Sequence, residues 1–221
     1  MGNPSIGIHR IDKLEEYHEM IKQLKKEMDV EIRSEYPREV INNQSFIIEK
    51  FIEGDEYVID AYFSEDGKPI ILNLFKRMSR HEKDMSNRIY YTSKQVINES
   101  LMKINTFLNT ISSFFALKRI PIHIEIRLDK EGKIIPIEVS PLRFSEMRTN
   151  ELGIYAYGIN ACEYFFNQQK PDWKSIVSDM DNFIYSYCCA KINSPIDFKK
   201  VESINHKGFK ENFRVSKNEY Y

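Results

Sequence analysis

The sequence predicts an α+β domain, an antiparallel sheet with flanking helices, and three stretches carry that prediction. "SFIIEKFIEGDEYVIDAYFSEDGKPIILNLFKR", residues 45–77, reads as three strands broken at Gly54 and at the "SEDGK" turn. Residues 93–117 show one apolar helical stripe of Ile97, Leu101, Ile104, Leu108, Ile111 and Phe115. "PIHIEIRLDKEGKIIPIEVSP", residues 121–141, alternates as two strands around a glycine turn. Helix, antiparallel strands, helix and hairpin in that order do not make the strand–helix alternation of a parallel, doubly wound sheet.

The elements follow in chain order. "DKLEEYHEMIKQLKKEM" predicts a first helix, with Asp12 as N-cap and Glu15 completing a capping box. Its Leu14, Tyr17, Ile21, Leu24 and Met28 keep helical spacing. After the three strands, "RMSRHEKDMSNRIYYT" is charged and weakly patterned and reads as loop. Beyond the hairpin, "RFSEMRTNELGIYAYG" reads as loop and "INACEYFFNQQ" as a short helix with Cys162 in the core. The last 25 or so residues are polar and read as peripheral.

Composition excludes several classes. Of 221 residues, 42% are apolar and 29% charged, the balance of a globular domain. A formal net charge of −1 gives no reason to expect nucleic acid or an anionic membrane as partner. No apolar run approaches the roughly 20 residues of a membrane span, and the first residues lack the pattern of a secretory signal. Three cysteines, two adjacent at Cys188 and Cys189, suit neither a disulfide framework nor a zinc site. The cytoplasm is the expected compartment.

The hairpin holds the chemistry. Ile122, Ile124, Ile126 and Leu128 share one face of its first strand, with His123, Glu125 and Arg127 opposite. Ile135, Ile137 and Val139 share a face of the second, opposite Pro136, Glu138 and Ser140. A register centred on Glu131-Gly132 packs both oily faces on one core and sets Glu125 across from Glu138 and His123 across from Ser140. Facing carboxylates repel, so a cation is expected between them. The competing reading makes both glutamates ordinary solvent-facing residues and His123 a neighbour that satisfies Glu138.

Up to about Lys170 the chain resembles the ATP-grasp superfamily. "GNPSIGIHRIDKLEEY" resembles its glycine-rich phosphate loop and following helix, "IIEKFIEGDEYVIDAYF" its adenine hinge, and "HIEIRLDKEGKIIPIEVSPLRF" its metal-binding hairpin. The resemblance implies residues 1–170 as a partial ATP-grasp domain and 171–221 as a C-terminal extension. Within the first, residues 1–92 hold the glycine-rich loop, helix and hinge strands, and residues 93–170 the long helix and the hairpin. It also implies an ATP-dependent carboxylate–amine ligase working through an acyl phosphate, with ATP and Mg2+ (or Mn2+) as cofactors and a small-molecule carboxylate and amine as substrates. By resemblance, the main chain of Lys50 and Ile52 meets adenine while Phe51 packs the opposite way. Glu56 receives the ribose hydroxyls, and Ser5 and Gly7 touch the phosphates. Glu125, Glu138 and Ser140 hold the metal, with Ser140 where relatives carry asparagine, and Arg143 lies near the phosphates or the substrate carboxylate. Lys76 and Arg77 could serve an anion or be a solvated strand end; Tyr155 and Tyr157 could line a pocket or pack. The family's upstream lysines and N-terminal domain have no counterpart in the sequence, which implies a truncated or split enzyme with a separate N-terminal half, or a non-catalytic nucleotide-binding module.

Overall fold

The computed structural model describes residues 9–27, 47–78, 89–145, 149–188, 203 and 205–211. A six-stranded antiparallel sheet organises the first of two compact units, Met1–Cys189. Its strands are β1 (Asp55–Phe63), β2 (Pro69–Arg77), β3 (Ile89–Thr92), β4 (Ile120–Leu128), β5 (Ile134–Pro141) and β6 (Tyr185–Cys188). They lie in the order β5-β4-β1-β2-β3-β6. The helices are α1 (Tyr17–Glu27), α2 (Lys94–Phe115), α3 (Thr149–Tyr157), α4 (Ala161–Phe166) and α5 (Trp173–Asp179). The second unit, Ala190–Tyr221, contains α6 (His206–Lys210), capped by the Asn205 side chain accepting from the Gly208 N–H.

Alternation along β1 builds two cores. Tyr57, Ile59, Ala61 and Phe63 face one side, with Ile122, Ile124 and Ile126 of β4 beside them and Val96, Ile104 and Leu108 of α2 over them. Val58 and Tyr62 face the other side, where Phe75, Leu72, Leu152, Ile159 and Ala161 bring α3 and the start of α4 against the sheet. Burying a side chain of this kind stabilises by about 1.5–3 kcal/mol, so α2 is held chiefly by its stripe. Ser93 caps α2, accepting from the Val96 N–H at 3.2 Å, and Ala116 ends it at φ 50°.

Several expectations change. The stretch read as loop before residue 93 ends in β3, which pairs with both β2 and β6. The stretch read as loop before Gly158 contains α3, whose Leu152, Gly153 and Ala156 are buried. Residues 47–53, read as the first of three strands, form no strand; the Ile52 carbonyl is held by the Arg127 guanidinium at 2.6 Å instead of a ladder partner. Helix α1 opens with a 3-10 turn, Leu14–Glu16, and Glu16 rather than Glu15 reaches back to the Asp12 N–H, while Asp12 pairs with Arg10. Cys162 is exposed, because the Asn160 cap sets α4 so that Ala161 turns into the core. Beyond residue 170, Trp173 donates to the Ile71 carbonyl at 3.1 Å, and β6 closes one edge of the sheet.

The hairpin keeps the expected register where it matters and loses it near the turn. His123 pairs with Ser140 and Glu125 with Glu138, but Ile126 then pairs with Pro136, leaving Ile137 as the extra residue of a bulge. Proline has no N–H to donate to the ladder, so a bulge beside Pro136 is where pairing can slip at least cost. The oily face of β5 does not share the core as expected: on this edge strand Ile137 is 46% and Val139 48% exposed, and it is Ile134 that packs against the core.

Two turn glycines should respond differently to substitution. Gly54 has φ 126°, and a Cβ there would press into the Leu128 carbonyl; Gly132 has φ 82° with open space around it. In urea denaturation we expect Gly132→Ala to lose about 1 kcal/mol, the cost of the left-handed backbone alone. Gly54→Ala should lose clearly more, about 2–3 kcal/mol or above. Equal losses would mean that β1 and β4 do not approach as closely as described.

Candidate functional site

On the second face of the sheet, which α3 and the start of α4 pack against over β1, β2 and β3, polar residues form rows toward β4 and β5, with His123 buried, Glu125 21% exposed and Glu138 50% exposed. Ser140, His123, Asp60 and Asn73 make one row across β5, β4, β1 and β2. Glu138, Glu125, Val58 and Phe75 make the next. Arg127 and Glu56 begin a third, which Arg77 joins.

Asp60 is fully buried and both its carboxylate oxygens are hydrogen-bonded. Oδ1 accepts from His123 Nδ1 at 2.9 Å and from the Ser145 N–H at 2.7 Å; Oδ2 accepts from Asn73 Nδ2 at 2.9 Å. The β1–β2 register shifts at Asp60/Ala61, and the bulge that results sets Asn73 beside Asp60 on the same face. Tyr157 lies against Phe75 and Trp173 and closes the far side, its hydroxyl donating to Asn73 Oδ1 at 3.2 Å and accepting from the Leu74 N–H. Tyr157 therefore packs, and burial pushes its phenol up; Tyr155 is 41% exposed.

His123 does not satisfy Glu138, as the hairpin alone suggested. It turns inward to Asp60, and its Nε2 lies 3.6 Å from Glu125 Oε1, an ion-pair distance rather than a hydrogen bond. Burial pulls this imidazole down, but the hydrogen bond to Asp60 and the nearby Glu125 carboxylate more than reverse that and hold it at about 9. It is therefore the cation on one side of the carboxylate pair. The cation on the other side is Arg143, whose Nη2 donates to Glu138 Oε1 and to Ser140 Oγ, each at 3.0 Å. Ser140 donates in turn to Glu138 Oε1 at 2.8 Å.

Glu56 is buried, and its Oε2 accepts from both Arg77 Nη1 and Arg127 Nη2 at 2.8 Å. Arg127 also covers the Phe51 ring at 4.8 Å, with Arg10 at 4.0 Å from the same ring. One arginine from β4 thus fixes the conformation of residues 51–56. Lys76 turns to the opposite face, pairing with Asp55 at 2.6 Å near the Tyr57 ring. Lys50 is exposed. Ser5 and Gly7 lie outside the described residues.

Glu125, Glu138 and the Ser140 hydroxyl are hard oxygen donors on one face of the hairpin. Among the described residues no group of three or more His, Cys, Asp and Glu side chains clusters closely enough to hold an ion by itself. Such a donor set fits magnesium or manganese arriving with phosphate oxygens as further ligands, since magnesium commonly uses one or two carboxylates plus substrate phosphates. Asp60, Asn73 and Arg127 were not singled out from the sequence; the signal for Asp60 was a lone carboxylate inside "YVIDAYF".

The six-stranded antiparallel sheet with flanking helices is the frame of an ATP-grasp fold. A family model described as an ATP-grasp domain matches residues 1–151, and the chain belongs to that family. Solved structures agree in fold. A biotin carboxylase–ATP complex from Campylobacter jejuni superimposes with TM-score 0.54 at 11% identity, covering 75% of this chain and 34% of that one. An L-amino acid ligase from Bacillus licheniformis gives 0.54 at 22% identity, covering 72% and 38%. The biotin carboxylase domain of Hydrogenobacter thermophilus 2-oxoglutarate carboxylase, in complex with MgADP, ADP and bicarbonate, gives 0.53 at 12% identity, covering 78% and 36%. The chain thus spans little more than a third of the length of these structures. A comparison with curated proteins gives no match. Among the described residues, no helix is long and apolar enough to cross a membrane.

His123 gives the site a pH signature. A group whose folded value lies above its ordinary 6.5 stabilises the fold fully below 6.5 and loses that contribution as pH rises through about 9. Urea denaturation between pH 6 and 10 should show stability falling by up to roughly 3 kcal/mol across that window. His123→Asn should flatten the slope. An unchanged slope in the variant would assign the titration to another group.

Proposed function

We propose that the chain binds Mg2+–ATP and serves a carboxylate–amine ligase that works through an acyl phosphate. The observation that carries this reading is the direct pairing of Glu125 with Glu138 on the sheet face that also carries Glu56. A magnesium ion, when bound, neutralises phosphate charge as the γ-phosphoryl group moves.

The chain's own residues divide the work. The Ile52 carbonyl is committed to Arg127, so the Ile52 N–H and the Lys50 carbonyl face the adenine edge in this reading. Glu56 keeps Oε2 on its two arginines and offers Oε1 to the ribose hydroxyls. Glu125, Glu138 and Ser140 supply the metal ligands, and Arg143 meets the transferring phosphoryl group or the substrate carboxylate. A substrate carboxylate oxygen attacks the γ-phosphorus, the bond to the β–γ bridging oxygen breaks, and ADP leaves. An amine nitrogen then attacks the acyl carbon, inorganic phosphate leaves, and the nitrogen loses a proton. The family's remaining phosphate and substrate contacts come, in this reading, from further polypeptide.

Isothermal titration with ADP and ATP, with and without magnesium, tests the binding half. Glu138→Gln keeps size and removes charge, so nucleotide affinity in magnesium should fall on the order of tenfold or more, the weight of a charge-assisted contact. Its melting temperature without ligand should stay near that of the wild type, because Glu138 is half exposed. Superimposable titrations would remove the metal assignment. Hydroxylamine trapping of an acyl phosphate tests turnover; binding without trapping under any carboxylate would leave a nucleotide-binding module.

A further inference from the structure

Tyr90 is a buried tyrosine whose hydroxyl the fold does not use. It pairs on β3 with Arg77 of β2, which extends the row of Arg127 and Glu56, and it is 3% exposed. Its ring lies in one buried cluster with Phe75 of β2, Val58 of β1 and Leu152 of α3. Other tyrosines on this face find partners: Tyr62 donates to the Gln169 carbonyl at 2.8 Å, and Tyr157 to Asn73. Among the described residues the Tyr90 hydroxyl has none. Buried polar groups are hydrogen-bonded in the great majority, so the exception asks for a reason. Burial pushes this phenol up, and the carboxylates that push it further are Glu125 first, then Glu56, then Glu138, with Arg77 opposing them. Tyr90 is thus a neutral donor near three carboxylates of the candidate site, and it bonds to none of them.

We propose that Tyr90 is a nucleotide-contact residue whose hydroxyl donates to the phosphate joined to the ribose. The inference rests on the nucleotide reading above and adds a residue to it that no motif of the sequence marked. In that reading Glu56 holds the ribose and Glu125 stands at the metal end. Glu56 pairs with Arg127, two residues beyond Glu125 on the neighbouring strand. The two acids are therefore roughly 8 Å apart at the backbone by ordinary sheet spacing. A ribose and its first phosphate cover a span of that order, so the ligand group that falls between the acids is that phosphate. A phenol kept protonated suits the place. It donates to an anionic oxygen in a charge-assisted bond, and it brings no charge of its own to a row that already holds two arginines. The contact also gives the buried hydroxyl the partner it lacks. Tyr90 thereby separates phosphorylated nucleosides from bare ones.

The test compares adenosine, AMP and ADP on the 221-residue chain and on Tyr90→Phe, in magnesium buffer. Saturation-transfer NMR reads the weak ligands and isothermal titration the tight ones. Phenylalanine keeps the ring in its cluster and removes only the hydroxyl. AMP and ADP affinities should each fall on the order of tenfold, the weight of one hydrogen bond to a charged group, while adenosine binds both proteins alike. Without ligand the melting temperature of the variant should equal or exceed that of the wild type, because the hydroxyl lost is one the fold leaves unpaired. An equal loss for adenosine overturns the phosphate contact by placing the hydroxyl on the nucleoside. Unchanged AMP and ADP binding overturns it while leaving the nucleotide reading standing. A lower melting temperature overturns it by giving the hydroxyl a partner in the free protein. No binding of AMP or ADP by the wild type overturns the nucleotide reading and this inference with it.

Discussion

The Asp60 carboxylate holds the site together. It is a fully buried anion whose cost of leaving water is met by a histidine, a backbone N–H and an asparagine, all within 2.9 Å. Those three partners come from β4, from the segment after β5, and from β2. Breaking a buried charged group away from its partners costs about 3–5 kcal/mol, so these elements are tied to one point. The tie has chemical consequences because of its neighbours. His123 lies two residues before Glu125, and Ser145 lies two residues after Arg143. A structural anion in the core therefore sets where a candidate ligand and a candidate phosphate-binding arginine stand.

Arg127 plays a comparable part for the segment that leads into β1. It leaves β4 two residues beyond Glu125 and contacts the Ile52 carbonyl, the Glu56 carboxylate and the Phe51 ring. The segment before β1 and the carboxylate pair of the hairpin are thus positioned by neighbouring residues of one strand, β4. Rigid placement of both on a paired strand suits a reaction in which positioning accounts for most of the catalysis.

How much of this could be read from the sequence depended on distance along the chain. The hairpin register was legible because both strands and the turn lie within 21 residues, and alternation specifies which faces coincide. The α2 stripe was legible for the same local reason from Ile97 to Ile111, whereas Phe115, at the end of the helix, is 65% exposed and lies outside the core. Asp60 was not, because its partners lie 13, 63 and 85 residues away, and inside "YVIDAYF" it looks like one polar step of an ordinary strand. His123 was given the wrong partner because only its hairpin neighbours were visible; the strand that receives it, β1, pairs from across the long helix. β3 and β6 escaped because each has four residues, too few for a period to show, and they are strands through each other. The glycine-rich loop, with Ser5 and Gly7, falls outside the described residues. Its role, like the metal roles of Glu125, Glu138 and Ser140, stands on resemblance.

The bulged outer strand has a meaning for the protein's life in a crowded solution. An open sheet edge carrying Ile137 and Val139 half exposed is the kind of surface on which a neighbouring chain could add a strand. β5 spoils that template in its own backbone. Pro136 and Pro141 withhold two of its eight N–H donors, and the bulge at Ile137 breaks the even spacing a visiting strand would need. The same irregularity that shifts the register near the turn thus discourages fibre-like stacking of one copy on the next.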